Sequence, residues 1–382
     1  MQEYNWKKER EKYRPDFMKT PEQAEQPMPS SSPSAPLTTP RPAPAVKPRK
    51  SYVGWIIAAV VFLFIAVVLG GLVLSVRNRE STSMLAHAAE KYQKAVGLIV
   101  LTADLQNGNK IQLPVATAWA FAPDKFATTA HVVTGLQNRC DELKESLAHT
   151  LLERISNKSG FNYDVEAYLR QLGENRGKEV ISQCLKDADD MIRGFSVSIM
   201  INGSSHESLP VTHVQIHPEY GITSERFNPD IATLTIDGKN EVFFKTADDR
   251  TLHGLKSGEP VAFLGFPMEN MKDDNVNLDN PVASMQSGII VAVSDFDLKD
   301  AGPEENYLIR HNLPVTGGAS GSPLFNRDGA VVALLFGGSI IGQIHNGQID
   351  RRPSAAMINY AVRSDLMRKM NAPVSIKDYL PR

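Results

Sequence analysis

The stretch from residue 316 to 334, TGGASGSPLFNRDGAVVAL, decides how the chain is read. Ser320 lies between glycines, which permit a tight loop, and a proline and a hairpin follow. Outward from it lies NPDIATLTI (228–236), where Asp230 opens an apolar strand. Further back is TTAHVV (128–133), placing His131 just after the strand-like ATAWAFAPDKF. Each block alone is ordinary: an Asp before a strand is turn chemistry, and a His after one belongs to core or surface. The surrounding texture is more telling. AVGLIVLT, KIQLPVATAWAFA and KFATTAHVV are short runs rich in β-branched residues, and the same texture resumes at Phe195 and persists to about Val362. Many short strands without alternating helices predict a sandwich or barrel.

Taken together, the three blocks resemble the trypsin-like clan of serine peptidases, whose signatures are a TAAH-type block, a DIAL-type block and GxSGGP, in the order His, Asp, Ser. Other segments are similar to the HtrA-like branch: HPEY (217–220), GEPVAFLGFP (258–267), SMQSGIIVAV (284–293) and INYAVRSDLM (358–367). The likeness covers about 86–372. It implies an all-β, chymotrypsin-type double β-barrel over 95–372 and hydrolysis of peptide bonds through an acyl-enzyme. His131 would be the general base, Asp230 its orienting carboxylate and Ser320 the nucleophile, with the Gly318 and Ser320 N–H groups as oxyanion hole. Val315 and Thr316, in NLPVTG (312–317), would line the specificity pocket with Phe336. Gly337 and Gly338 would lie where substrate backbone pairs. With no acidic residue in that segment, a basic side chain is disfavoured and a small to medium apolar one expected. His87, His149, His206 and His311 have no motif context and read as surface or structural.

Two positions depart from the family pattern. Ala319 stands where trypsin-like zymogens carry an Asp that pairs with a freed N-terminus, so activation by N-terminal cleavage is not expected. Ser322 replaces the second glycine of GxSGGP, as in glutamyl endopeptidases. Only 62 residues follow Ser320, too few to finish a barrel and add a PDZ domain.

The β texture breaks between 137 and 192. Leu143, Leu147, Leu151 and Ile155, then Val165, Leu169 and Leu172, recur at helical spacing, and SNKSG (156–160) divides them. A helical insertion directly after His131 sits beside the cleft. The alternative to an active enzyme is therefore a silent or latent protease-fold module for binding or signalling, gated by that insertion. Cys140 and Cys184 bracket it. A disulfide between them is expected outside the cytoplasm and would stabilise by about 4 kcal/mol in the chain-entropy picture. The other reading is two buried free thiols.

The N-terminal quarter differs in kind. Residues 53–76, VGWIIAAVVFLFIAVVLGGLVLSV, carry no charge and exceed the ~20 apolar residues that cross a bilayer. A single transmembrane helix is expected, a buried core helix of a cytoplasmic enzyme being the other reading. Lys47, Arg49 and Lys50 before it, against Arg77 and Arg79 after it, put the N-terminus in the cytoplasm and the remainder outside, in a bacterium the periplasm or cell surface. Residues 1–50 hold ten of the 24 prolines, so a disordered tail able to dock a cytoplasmic partner precedes the span. Residues 77–94 read as a juxtamembrane linker, helical over 81–94, and 373–382 as a C-terminal tail. A net charge of −2 gives no footprint for nucleic acid, and the absence of CxxC or Cys/His clusters argues against a structural metal; no cofactor is implied. No segment sets an oligomeric state.

Overall fold

The computed structural model describes residues 82–205, 208–222, 227–268, 277–338 and 358–381, the backbone of 340–345 and 348–353, and scattered helical positions at 60, 62–65 and 67–68. Two compact units are distinguished, 1–65 and 66–382. The proline-rich tail and nearly all of the expected span 53–76 lie outside the described residues. Among the described ones, no helix is long and apolar enough to cross a membrane.

Within the second unit, helix α1 spans 82–92. Its buried residues Leu85, Ala88, Ala89 and Tyr92 fall at i, i+3, i+4 and i+7, one stripe of a helix. Tyr92 stacks on Phe244 at 4.5 Å, and Phe244 meets Trp119 edge-on at 5.9 Å.

Six strands then form the first barrel: β1 (Val96–Leu105), β2 (Lys110–Ala122), β3 (Lys125–Thr128), β4 (Ile192–Ile201), β5 (Ser208–Ile216) and β6 (Ala232–Ile236). Their order is β5-β4-β1-β2-β3-β6, and β6 returns to β5 to close the ring. The second barrel follows the same plan. After β7 (Lys245–Thr246) come helix α6 (Asp249–His253), β8 (Pro260–Gly265), β9 (Ser284–Ser294), β10 (Leu308–His311), β11 (Pro323–Phe325), β12 (Ala330–Gly338) and β15 (Asn359–Arg363). The order is β11-β8-β9-β10-β15-β12, closed by β11 on β12, with β7 added outside. A two-stranded ribbon, β13 (Ile340–His345) and β14 (Gln348–Pro353), leaves the top of β12. All ring pairings are antiparallel. This is the expected double β-barrel. Closing both rings leaves no free edge within them, which explains why so many short strands coexist without aggregation-prone borders.

One apolar core fills the first barrel and continues into the second through Ala262, Leu264, Phe266, Phe325 and Leu334. A smaller cluster, including Phe263, Leu324 and Leu335, fills the second barrel's interior.

Between α2 (Ala130–Thr134) and β4 the helical insertion folds as α3 (Leu136–Lys158), α4 (Val165–Leu172) and α5 (Glu174–Met191). Leu136, Cys140 and Leu143 join the barrel core, whereas Leu147, Leu152, Cys184 and Ala188 form a separate helical seam. The expected disulfide is not formed: both thiols are free and buried. The register of the helix pair explains why. Lys144 pairs with Asp189, so Cys140 lies one turn beyond that contact in one direction and Cys184 more than one turn beyond it in the other. The axial offset is roughly a dozen Å, about twice the Cα separation a disulfide spans. Burial, with Asp141 adding to it, pushes the Cys140 thiol up to about 12, and burial likewise raises Cys184.

The last residues do not hang free. β16 (Val374–Ser375) pairs with β5, and Ile376 and Leu380 are buried in the first core.

Candidate active site

Three connections bring the sequence blocks together. β3 pairs with β6 so that Thr128 faces Ala232. His131 lies three residues beyond Thr128 and Asp230 two residues before Ala232, at the same end of the pair, and the sheet register alone sets them side by side. His131 Nδ1 and Asp230 Oδ2 are 2.5 Å apart, and the His131 backbone N–H donates to Asp230 Oδ1 at 2.9 Å. A carboxylate can only accept here, so the proton lies on Nδ1 and Nε2 is the free ring nitrogen. Asp230 is 7% exposed, while the His131 side chain is 41% exposed toward the cleft. That arrangement holds the imidazole by one edge and leaves the other available.

The HPEY segment braces the pair. His217 accepts at Nδ1 from the Glu219 N–H, and burial lowers its pKa. Tyr220 is hydrogen-bonded to Thr134, at the end of the helix that carries His131, and burial raises its pKa. The connection between β5 and β6, which carries both Tyr220 and Asp230, is thus tied to the helix carrying His131 from a second direction.

Ser320 arrives from the second barrel, and Thr117 of β2 fixes its loop. The Thr117 hydroxyl donates to the Gly318 carbonyl at 2.8 Å and accepts from the Phe266 N–H at 3.0 Å, and its own N–H donates to the Ser320 carbonyl at 3.1 Å. The Thr117 carbonyl in turn accepts from the Thr128 hydroxyl at 2.9 Å. One fully buried side chain of the first barrel therefore shapes the Ser320 loop of the second. Glycine is required at two places in that loop. Gly318 has φ +81°, and a Cβ there would lie 2.4 Å from the Phe266 carbonyl oxygen. Gly321 has φ +86°, and its Cβ would meet the Thr117 carbonyl oxygen at 2.2 Å.

Gly318 and Ser320 donate their backbone N–H groups to no acceptor among the described residues, whereas Ala319, Gly321 and Ser322 donate to Thr316, Leu335 and Ala319. Two adjacent free donors beside a serine form a site for a developing oxyanion. Ser320 and His131 line one cavity of about 280 Å³, with Gly317, Gly318, Val115 and Val132. The Ser320 hydroxyl makes no hydrogen bond among the described residues, as in many unliganded sites where that contact tightens only around substrate.

The expected substrate-binding residues lie outside that cavity. Phe336 is half-buried in an aromatic group with Phe227 at 6.0 Å and Tyr360 at 6.3 Å. Val315 packs on the second core, Thr316 is exposed, and a Cβ on Gly337 would meet nothing within 4 Å. None of these five lines the cavity that holds His131 and Ser320. Sequence reasoning missed four residues that matter here: Thr117, Asn138, Arg139 and Glu142. Thr117 is the polar position in the apolar run VATAWAFA, a signal available in the sequence. The other three are the first turns of the insertion, which line the cavity's far wall.

The model of the trypsin-like peptidase domain matches residues 116–334, more than half of the chain. No curated protein matches it in sequence. Among solved structures it is similar to the HtrA-type protease AlgW with decapeptide, at 14% identity and a TM-score of 0.41, over 74% of this chain and 64% of that one. It is also similar to the active form of the Rv3671c protease from M. tuberculosis, at 14% identity and a TM-score of 0.38, over 76% of this chain and 87% of that one. The chain thus spans less than two thirds of the AlgW structure. With residues 116–334 taking in His131, Asp230 and Ser320, the chain belongs to the trypsin-like peptidase domain family.

Proposed function

We propose that the chain is a membrane-anchored serine endopeptidase acting on extracytoplasmic proteins, with His131, Asp230 and Ser320 as its triad. The observation that carries this reading is the pairing of His131 to Asp230 through two hydrogen bonds, with His131 lining the same cavity as Ser320, beside the two N–H groups that have no acceptor among the described residues. Ser320 Oγ attacks the scissile carbonyl as Nε2 of His131 takes its proton. The Gly318 and Ser320 N–H groups receive the oxyanion, and His131 then returns the proton to the leaving amine. Water repeats the sequence on the acyl-enzyme. Ala319, fully buried and uncharged, supports a site formed without a freed N-terminus. Phe336 and its aromatic neighbours favour small to medium apolar residues on the acyl side. Anchoring rests on the uncharged run 53–76 and its flanking charges. A fluorophosphonate probe should label the wild-type chain in the membrane fraction and leave Ser320→Ala unlabelled; an unlabelled wild type at pH 8 overturns the assignment.

One observation favours a second reading, a latent enzyme gated by its insertion: Asn138, Arg139 and Glu142 line the catalytic cavity. Removing 141–183 should then raise labelling, whereas a folded deletion variant labelled no faster excludes gating.

A further inference from the structure

The cavity around Ser320 has two unlike walls. One is the serine loop, Gly317 and Gly318. The other is helix, α2 running into α3, with Val115 of β2 beside it. On α3 and its first turn the lining residues are Gly135, Asn138, Arg139 and Glu142, spaced i, i+3, i+4 and i+7, a single helix face. The opposite face, Cys140, Leu143 and Leu147, is buried. The polar face is thus held against the cleft by the packing of the apolar one.

In the peptidase reading above, a peptide whose acyl half runs along β12 past Phe336, Gly337 and Gly338 leaves this cavity, which none of the three lines, to its departing half. Arg139 uses one nitrogen, Nη1, to contact both carboxylate oxygens of Glu142, at 2.7 and 3.0 Å. Its Nε and Nη2 donate to nothing among the described residues. With its side chain 31% exposed, Arg139 is partly withdrawn from solvent, whereas Glu142, at 46%, is more open and has both oxygens engaged. The free half of a guanidinium fork is shaped for a second carboxylate.

We infer that the first turns of α3 form a charge-reading subsite on the leaving-group side, in which Arg139 selects peptides bearing an acidic side chain one or two residues after the scissile bond. The inference rests on the peptidase reading above. Glu142 competes with the substrate carboxylate for the guanidinium and so sets the strength of selection. Asn138 adds a neutral polar contact that does not discriminate charge.

The test is digestion of a pool of synthetic peptides by the full chain, with cut sites mapped by mass spectrometry. It is followed by kcat/KM for matched peptides carrying Asp, Ala or Lys just after the cut. Asp should exceed Ala by roughly three- to ten-fold, the scale of a partly exposed charged contact, and Lys should fall below Ala. Arg139→Gln should bring the Asp/Ala ratio near one, Arg139→Glu should invert it toward Lys, and Glu142→Gln should widen it. Each comparison is a ratio within one variant, so a general loss of activity does not enter. A wild-type ratio near one, or ratios that both Arg139 variants leave unmoved, overturns the subsite while the peptidase reading stands. A wild-type chain that cuts nothing in the pool removes that reading and the subsite with it.

Discussion

At the scale of single residues, the site depends on groups that never touch the scissile bond. Asp230 fixes which nitrogen of His131 carries the proton. Asp230→Asn can donate to the ring and so stabilise the wrong tautomer; kcat should fall on the order of 10⁴-fold with the fold intact by circular dichroism. Thr117 acts one step further back. Thr117→Val keeps the shape but strands the Gly318 carbonyl and the Phe266 N–H, both buried, at roughly 1–3 kcal/mol each. The expected result is a lower urea midpoint together with a kcat loss larger than any rise in KM, because the loop bearing Ser320 loses its template. A midpoint and kcat both equal to wild type would show that the loop shapes itself. The three blocks that carry the proposed triad were readable because their residue types are set by chemistry and sit in distinctive local strings. Thr117 was not, because a threonine in a strand has many uses and the two partners of its hydroxyl lie 149 and 201 residues away.

At the scale of elements, strand boundaries followed the sequence closely where alternation and turn residues coincide. β1, β2 and β3 occupy the runs that begin near residues 96, 110 and 125. The helical insertion was equally plain, since its leucines repeat with helical period. What the pattern could not convey was the register between α3 and α5, and the cysteines fell on that point. Two cysteines bracketing an insertion suggest a clasp, but one turned to the barrel and the other to the helical seam. Titration with a thiol reagent should therefore find almost no reactive thiol in the native chain and two after denaturation, with no change in gel mobility on reduction. Raised thiol pKa values point the same way, since the reactive thiolate is scarce in the fold. The aromatic trio near Phe336 was also hidden, because Phe227 and Tyr360 come from segments far apart in sequence.

At the scale of the whole molecule, two closed barrels share a core, and titration of one buried group reaches their common stability. His311 on β10 is fully buried, and desolvation lowers its pKa to about 4 despite a backbone contact with Tyr360. The unfolded chain takes up this proton near pH 6.5 and the folded one only near 4. The stabilising contribution is therefore complete above about pH 6.5 and is lost as pH falls toward 4, amounting to about 3 kcal/mol. His217, also lowered by burial, acts in the same direction. Replacing His311 by Gln should reduce the drop in Tm between pH 7 and pH 4.5; an unchanged drop would assign the acid sensitivity elsewhere. Finally, β16 with Ile376 and Leu380 returns from beyond the second barrel to pack on the first. On the ribosome, the ring that carries His131 and Asp230 has all six of its strands before the second barrel is made, but the cover over His213 and Val214 arrives only after the second barrel's sequence has been translated.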